Sequence, residues 1–132
     1  MITIAEVMSK DVKRAGADMS IADAATQMRD HRVGALLVEK DHHEVGIVTD
    51  TDVVRKGVAE GKDLSKTTVE SIMTDLHSID ATQTLLEAHD RMRYCAVRHL
   101  VVRNAGQVVG ILSVGDLAAY FTWLSERKFP PP

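Results

Sequence analysis

Two short stretches of the chain each place a hydroxyl side chain three residues before a carboxylate. GIVTDTD contains Thr49 and Asp52, and GILSVGD contains Ser113 and Asp116. The glycine and aliphatic residues that come first are typical of a buried strand, so each hydroxyl is predicted to stand where a strand passes into a helix. Free N–H groups at a helix N-terminus favour an anion such as phosphate, and a carboxylate one turn later can accept hydrogen bonds from a ribose diol. A single stretch of this kind is more often only a helix cap.

The two stretches belong to a tandem repeat, and this changes the weight of the pattern. With an offset of 64 positions, Gly46 aligns with Gly110, and many apolar residues align as well. Residues 1–66 and 67–124 are therefore predicted to be two copies of one unit, with a C-terminal tail over 125–132. Two copies are too few for an open array, so we predict a pseudo-symmetric pair of domains.

Each copy is predicted to contain two short strands between helices. Ile21, Ala24 and Met28 fall on one helix face at three- and four-residue spacing, and Ser20 precedes them as a cap. Capping boxes predict short helices at Thr3–Glu6 and Thr67–Glu70, and a second helix face consists of Leu85, Ala88 and Met92. The predicted strands are Ala35–Val38, Val45–Val48, Leu100–Val102 and Val108–Leu112. The final helices are predicted to follow Thr49 and Ser113, the first ending near Gly57 and the second extending past Trp123 toward Arg127.

Composition limits the class of protein. The chain has 132 residues, 45% of them hydrophobic, and a formal net charge of −3, which suits one compact domain or two half-size units. There is no basic stripe, so we expect no nucleic-acid partner, and the apolar runs are too short for a membrane span. The N-terminus does not resemble a secretory signal. Cys95 is the only cysteine, which fits a reducing cytoplasm.

The repeated unit resembles the cystathionine-β-synthase (CBS) domain, and the chain resembles a tandem pair of them, a Bateman module. The resemblance rests on Gly-h-h-[Ser/Thr]-x-x-Asp at both junctions, on Val7-Met8 and Ile72-Met73, and on the phrases HRVGALLV and AVRHLVV. It implies an α+β fold of two pseudo-symmetric units, each a small β-sheet with flanking α-helices, packed through their sheets. It also implies a regulatory homodimer that binds an adenosyl ligand between the repeats, without catalysis or a required cofactor, and that signals to an effector protein.

The ligands that the resemblance implies are AMP, ADP or ATP, with NAD, S-adenosylmethionine and cyclic di-AMP as alternatives. It assigns Thr49 and Asp52 to one site and Ser113 and Asp116 to the other. The further positions that it implies are Val33, Ala35, Val97 and His99 beside the adenine, the loops Lys13–Ala15 and Ser78–Asp80 over it, and Arg14, Arg55, Lys56, Arg98 and His99 as candidates for the phosphates.

The two sites are expected to be unequal, because their surroundings differ in sequence. Arg55 and Lys56 follow the first aspartate, and apolar residues follow the second. We therefore predict that Thr49 and Asp52 form the better site, with Arg98 reaching its phosphate from the other repeat. Asp50 adds negative charge there and counts against this preference.

Other candidate residues are better explained without a ligand. His42 and His43 lie in a polar turn without the spacing of a zinc site, and Cys95 has no partner base, so we predict neither a metal nor a nucleophile. Two further functions stay open: a nucleotide hydrolase, which the absence of a recognisable base disfavours, and a module that has lost its ligands. Trp123 and Phe129 either pack on the chain's own core or form a contact with a second copy or another partner.

Overall fold

The computed structural model describes residues 2–128, and the side chains of residues 2–126. It divides into two compact units that are offset from the sequence repeats. One unit is Lys13–Leu76, and the other combines the residues up to Val12 with those from His77 onward. The first residues of each repeat therefore belong to the unit that contains the sheet of the other repeat. We call 3–12 and 68–76 the leading segments.

The unit Lys13–Leu76 contains one three-stranded sheet. Its elements are β1 (Arg14–Gly16), α1 (Ile21–His31), β2 (Ala35–Lys40), β3 (His43–Thr49) and α2 (Asp50–Asp52), which continues as a π-helical segment, Val53–Val58. β1 pairs parallel with β2, and β2 pairs antiparallel with β3. The connection from β1 to β2 through α1 places that helix over the sheet.

The second unit repeats this topology. Its elements are β4 (Ser78–Asp80), α3 (Leu85–Cys95), β5 (His99–Asn104), β6 (Gln107–Ser113) and α4 (Val114–Lys128). β4 pairs parallel with β5, and β5 pairs antiparallel with β6. The α+β class and the repeated small sheets with flanking helices that the sequence predicts are therefore confirmed.

Each unit has its own hydrophobic core between its sheet and its first helix. In the unit Lys13–Leu76 the predicted helix face of Ile21, Ala24 and Met28 is buried against residues of β2 and β3. In the other unit Leu85, Ala88 and Met92 occupy the same positions. Ser20 accepts a hydrogen bond from the Asp23 N–H at 3.1 Å, so the predicted cap of α1 is confirmed.

Tight hairpins connect the two antiparallel strands of each sheet. Asp41 and His42 have φ of 51° and 65°, and Ala105 and Gly106 have φ of 51° and 80°. Positive φ at both central residues is the geometry whose twist matches that of two paired strands. The predicted polar turns are present, and the strands on either side are longer than predicted.

The leading segments explain the glycine of the repeated stretch. Ile47 exchanges two hydrogen bonds with Thr74, of 2.9 and 2.8 Å, and Ile111 exchanges two with Ser9, of 3.0 and 2.9 Å. The segment 68–76 thus pairs with β3, and the segment 3–12 pairs with β6, each through one isolated antiparallel bridge. A Cβ built at Gly110 would lie 2.8 Å from the Ser9 carbonyl oxygen, so only glycine lets the two backbones approach.

Several boundaries differ from the sequence prediction. The second short helix begins at Val69 with Thr68 before it, one residue later than the capping box at Thr67 predicts. α4 continues to Lys128, so it passes into the segment assigned to a tail. The predictions about Phe129 and the three terminal prolines lie outside the described residues. No described helix has the length and apolar character needed to cross a bilayer.

Candidate functional site

The Thr49–Asp52 stretch, which we call the first junction, joins β3 to α2. The Asp52 N–H donates to Thr49 Oγ1 at 3.1 Å, and the Thr49 N–H donates to Asp52 Oδ2 at 3.0 Å. This reciprocal pair is a capping box, so the stretch does cap a helix, as one of its two interpretations predicts. Ala35 pairs with Thr49 across the sheet, and the Asp50 N–H donates to the Gly34 carbonyl at 2.9 Å.

Asp52 is the one charged side chain among the described residues that is buried, with 5% of its surface exposed. The Thr74 hydroxyl lies 3.0 Å from Oδ1 and 3.1 Å from Oδ2, and the Lys56 ammonium lies 3.1 Å from Oδ1. Lys56 also donates to the Ile72 carbonyl at 3.2 Å. We call Thr49, Asp52, Lys56 and Thr74 the Asp52 cluster. Its contacts replace the water that a buried carboxylate loses.

The Ser113–Asp116 stretch, which we call the second junction, has the same cap but a different environment. The Asp116 N–H donates to Ser113 Oγ at 3.0 Å, and the Ser113 N–H donates to Asp116 Oδ2 at 2.9 Å. Asp116 is partly exposed, and Oδ1 receives no hydrogen bond from the side chains that the structure describes. Its Oδ1 is therefore available to an outside donor.

Sequence differences between the repeats cause this contrast. Tyr120 stands where the first repeat has Lys56, and its ring stacks on Trp123 with 6.0 Å between centroids. Ser9 stands where the other leading segment has Thr74, and it is exposed. The second aspartate therefore has neither the ammonium nor the hydroxyl that surrounds the first.

Two of the four positions predicted to flank an adenine ring lie beside the junctions. Ala35 is buried at the start of β2, next to Thr49, and His99 pairs with Ser113 at the start of β5. The remaining two, Val33 and Val97, are partly buried and pack against the core of their own unit. The fold thus brings Ala35 and His99 to the junctions of their own repeats.

The predicted phosphate-binding cations are distributed differently. Arg14 lies in β1, and its guanidinium contacts the carboxylates of Glu39 and Glu44, not the first junction. Arg98 is exposed, and its carbonyl accepts a hydrogen bond of 3.0 Å from the first N–H of α4. Arg55 is exposed on the π-helical segment. Of these cations, Arg98 is the one that the backbone places directly at a junction.

Metal-ligating residues do not cluster in the part of the chain that the structure describes. No group of three or more histidine, cysteine or acidic side chains is close enough to hold an ion within residues 2–126. His42 and His43 sit at the tip of the hairpin between β2 and β3, and Cys95 is a partly buried free thiol at the end of α3.

Thr74 is the site residue that sequence reasoning missed. Lys56 follows Asp52 by four residues, a spacing at which side chains meet on a helix, so that ion pair was predictable. Thr74 lies 22 positions away from Asp52 in the sequence. Its one sequence indication is that it follows Met73 as Ser9 follows Met8, a hydroxyl residue at the same position of both leading segments.

Comparison with known proteins identifies relatives over almost the whole chain. The family model described as "CBS domain" matches residues 4–59 and 69–122. The CBS domain-containing protein YhcV of Bacillus subtilis is 30% identical over 118 residues, which cover 89% of this chain and 84% of that protein. Hypoxic response protein 1 of Mycobacterium tuberculosis is 31% identical over 122 residues, covering 91% and 85% of the two chains.

Solved structures share the fold. A crystal structure of Hypoxic Response Protein I with two coordinated zinc ions superposes with a TM-score of 0.76 at 30% identity, over 90% of this chain and 98% of that one. A hexameric CBS-CP12 protein from bloom-forming cyanobacteria superposes with a TM-score of 0.86 at 25% identity, over 96% of this chain and 75% of that one.

Proposed function

Because this chain belongs to the CBS-domain family, we propose that it is a regulatory module that binds an adenosyl ligand such as AMP, ADP or ATP. One observation carries the proposal: a carboxylate held by a capping box in the first turn of the helix at each strand-to-helix junction. Such a carboxylate matches a ribose diol, and the positive end of the helix dipole favours a phosphate.

The second junction supports the proposal most directly. Asp116 Oδ1 is open to an outside donor, and Asp116 is only partly buried. The Arg98 carbonyl accepts a hydrogen bond from the first N–H of α4, so its backbone lies at the junction, and its exposed side chain is our candidate for the phosphate. His99 begins the adjacent strand, where an adenine ring would lie.

Self-association and signalling complete the proposal. A structural relative is a hexamer, and we propose that this chain forms a homodimer in the cytoplasm. Ligand binding would act on an effector protein by favouring one of two states of the dimer, since a ligand shifts an equilibrium only through its differential affinity for the two states.

A thermal-shift panel of AMP, ADP, ATP, NAD, S-adenosylmethionine and cyclic di-AMP tests the proposal. A ligand at one hundred times its Kd stabilises the folded state by about 2.7 kcal/mol, so at least one compound should raise the Tm of the wild type. Asp116→Ala should abolish most of that rise. AMP and 2′,3′-dideoxy-AMP form a matched pair, because only AMP carries the diol.

Three results would contradict the proposal. The first is that no compound raises the Tm, which would favour a module without ligands. The second is that Asp116→Ala and Asp52→Ala both respond to the compounds as the wild type does, which would exclude the two carboxylates from the site. The third is that the purified protein hydrolyses ATP and loses this activity with Asp116→Ala, which would favour the hydrolase.

A further inference from the structure

The two junctions are not equally open, although their sequences match. The single hydroxyl proton of Thr74 faces both carboxylate oxygens of Asp52, at 3.0 and 3.1 Å, and the Lys56 ammonium supplies a second donor and the counter-charge from 3.1 Å. A ribose diol would offer two donors to the same oxygens. The donors that a ligand would supply to Asp52 are thus already supplied by the protein.

The position of a phosphate at the first junction is filled as well. Asp50 Oδ1 accepts a hydrogen bond of 2.8 Å from the Thr51 N–H, one of the groups at the start of the helix that have no partner within the helix. The Asp50 carboxylate also lies over Gly34, since a Cβ there would be 3.2 Å from Asp50 Oδ2. A negative charge at this place opposes an anion, and the second repeat has Val114 there instead.

We propose that Lys56 and Thr74 are internal occupants of the first junction, and that they confine ligand binding to the second. The inference rests on the proposed function and deepens it, because it assigns one ligand to each chain and names the residues that exclude another. It reverses the order of the two sites that the sequence suggested. Lys56, which the sequence offers as a phosphate ligand, acts here as the counter-ion of Asp52.

The first junction with Thr74 and Lys56 in contact with Asp52 is more stable than one in which the Asp52 carboxylate has no donors. A buried carboxylate without donors costs free energy, so a ligand gains access to Asp52 only if it displaces Thr74 and Lys56 and repays their contacts. Thr74 belongs to a leading segment whose backbone is already fixed by two hydrogen bonds to Ile47. Because that segment is held in place, its hydroxyl stays next to the carboxylate.

Calorimetric titration with AMP measures the number of sites. The wild type should bind one AMP per chain, and Asp116→Ala should remove it. The variant Asp50→Val/Lys56→Met/Thr74→Val, which also removes the negative charge from the phosphate position, should bind two, and the added site should disappear when Asp52→Ala is included. The matched control is Ser9→Val, the same kind of change in the other leading segment, and it should leave the count at one.

A stability measurement tests the cluster without any ligand. Thr74→Val should lower the Tm by about 3–8 °C, because it leaves a buried carboxylate short of a donor. The loss should shrink to less than half in an Asp52→Ala background. Ser9→Val should not change the Tm, since Ser9 is exposed.

The outcomes separate the two proposals. If no variant binds any compound, the proposed function fails. The inference is then decided by the coupling between Thr74 and Asp52, which is the smaller Tm loss caused by Thr74→Val in the Asp52→Ala background. Absence of that coupling overturns the inference. It is also overturned if the wild type binds two AMP per chain, or one that depends on Asp52, or if Asp50→Val/Lys56→Met/Thr74→Val still binds only one.

Discussion

Asp52 and Asp116 show how the environment gives one residue type two roles. Both cap a helix through the same pair of hydrogen bonds. Asp52 is buried beside an ammonium and a hydroxyl, whereas Asp116 keeps one oxygen without a donor among the described side chains. The cap is thus a property of the motif, and openness to a ligand is a property of the neighbours at Lys56 and Tyr120.

A third aspartate permits a prediction about acid titration. The Thr82 hydroxyl donates to Asp80 Oδ1 at 2.6 Å and the Thr82 N–H donates to it at 2.9 Å. These bonds favour the ionised form and lower the pKa of Asp80, with the hydroxyl as the larger cause. Thr82→Val removes the hydroxyl bond, so the pKa of Asp80 should rise toward its ordinary value while the N–H bond retains part of the shift. Carboxyl-carbon NMR titration measures it.

The sign of the stability effect follows from the direction of the shift. A folded-state pKa below the unfolded value contributes stability above the unfolded pKa, and this contribution is lost as pH falls through the folded pKa. Thr82→Val should therefore be less stable than the wild type at neutral pH, with the difference vanishing in strong acid. Asp63, whose pKa is lowered by Ser65 in the same way, is the internal control and should not change. An unchanged Asp80 titration would refute the assigned cause.

At the scale of elements, the contact of each leading segment with a strand makes a second prediction. A Cβ at Gly46 would lie 2.6 Å from Met73 Sδ and 3.0 Å from the Thr74 carbonyl, and one at Gly110 would lie 2.5 Å from Met8 Sδ. Methionine can move, but the backbone carbonyls are paired to the strand. Gly46→Ala and Gly110→Ala should each reduce the free energy of unfolding by roughly 1–3 kcal/mol.

Gly115 provides the matched control for that prediction. A Cβ there would meet only Ser113 Oγ at 3.5 Å, an ordinary contact. Since alanine favours a helix over glycine, Gly115→Ala should be neutral or stabilise the protein by up to about 1 kcal/mol. Urea unfolding of the three variants compares them directly. If Gly110→Ala behaves like Gly115→Ala, the close approach of Ser9 does not require the glycine.

The elements were largely predictable from the sequence, and the reason is their amphipathic pattern. The helix face of Ile21, Ala24 and Met28 and the strands after it have their predicted type, since burial of an apolar face decides both. The π-helical form of Val53–Val58 was not predicted, because no local pattern distinguishes it from an α-helix. Of the site, both capping boxes were predictable, whereas Thr74 reaches Asp52 only through the folded chain.

At the scale of the whole molecule, the repeat hides the assignment of the leading segments. Met8 and Met73 follow the same pattern, so the sequence of either segment is compatible with either sheet. The structure places residues up to Val12 with the second sheet and those from Thr68 to Leu76 with the first. A sequence in which both copies carry the same apolar pattern cannot specify this choice. It matters for function, because Thr74 of the second repeat closes the aspartate of the first.

The exposed apolar side chains of α4 make a prediction about the dimer. Phe121, Trp123 and Leu124 expose 49%, 47% and 41% of their surface, and the ring of Trp123 stacks on Tyr120. Aromatic residues on one helix suit a symmetric interface, in which each contact occurs twice. Phe121→Ser/Trp123→Ser should therefore weaken the proposed dimer about tenfold or more, because each substitution counts in both subunits.

Tyr94 gives the control for the dimer prediction, because it is 92% exposed on α3 and is equally aromatic. Tyr94→Ser should leave the dimer unchanged if α4 is the interface. Sedimentation equilibrium across a concentration series yields the dissociation constant of each variant, and the circular dichroism spectrum establishes that each is folded. A folded Phe121→Ser/Trp123→Ser variant with the dissociation constant of the wild type would exclude this surface. If truncation after Thr122 weakens the dimer more than Phe121→Ser/Trp123→Ser does, the interface extends further along α4, because the truncation removes Leu124 as well as Trp123.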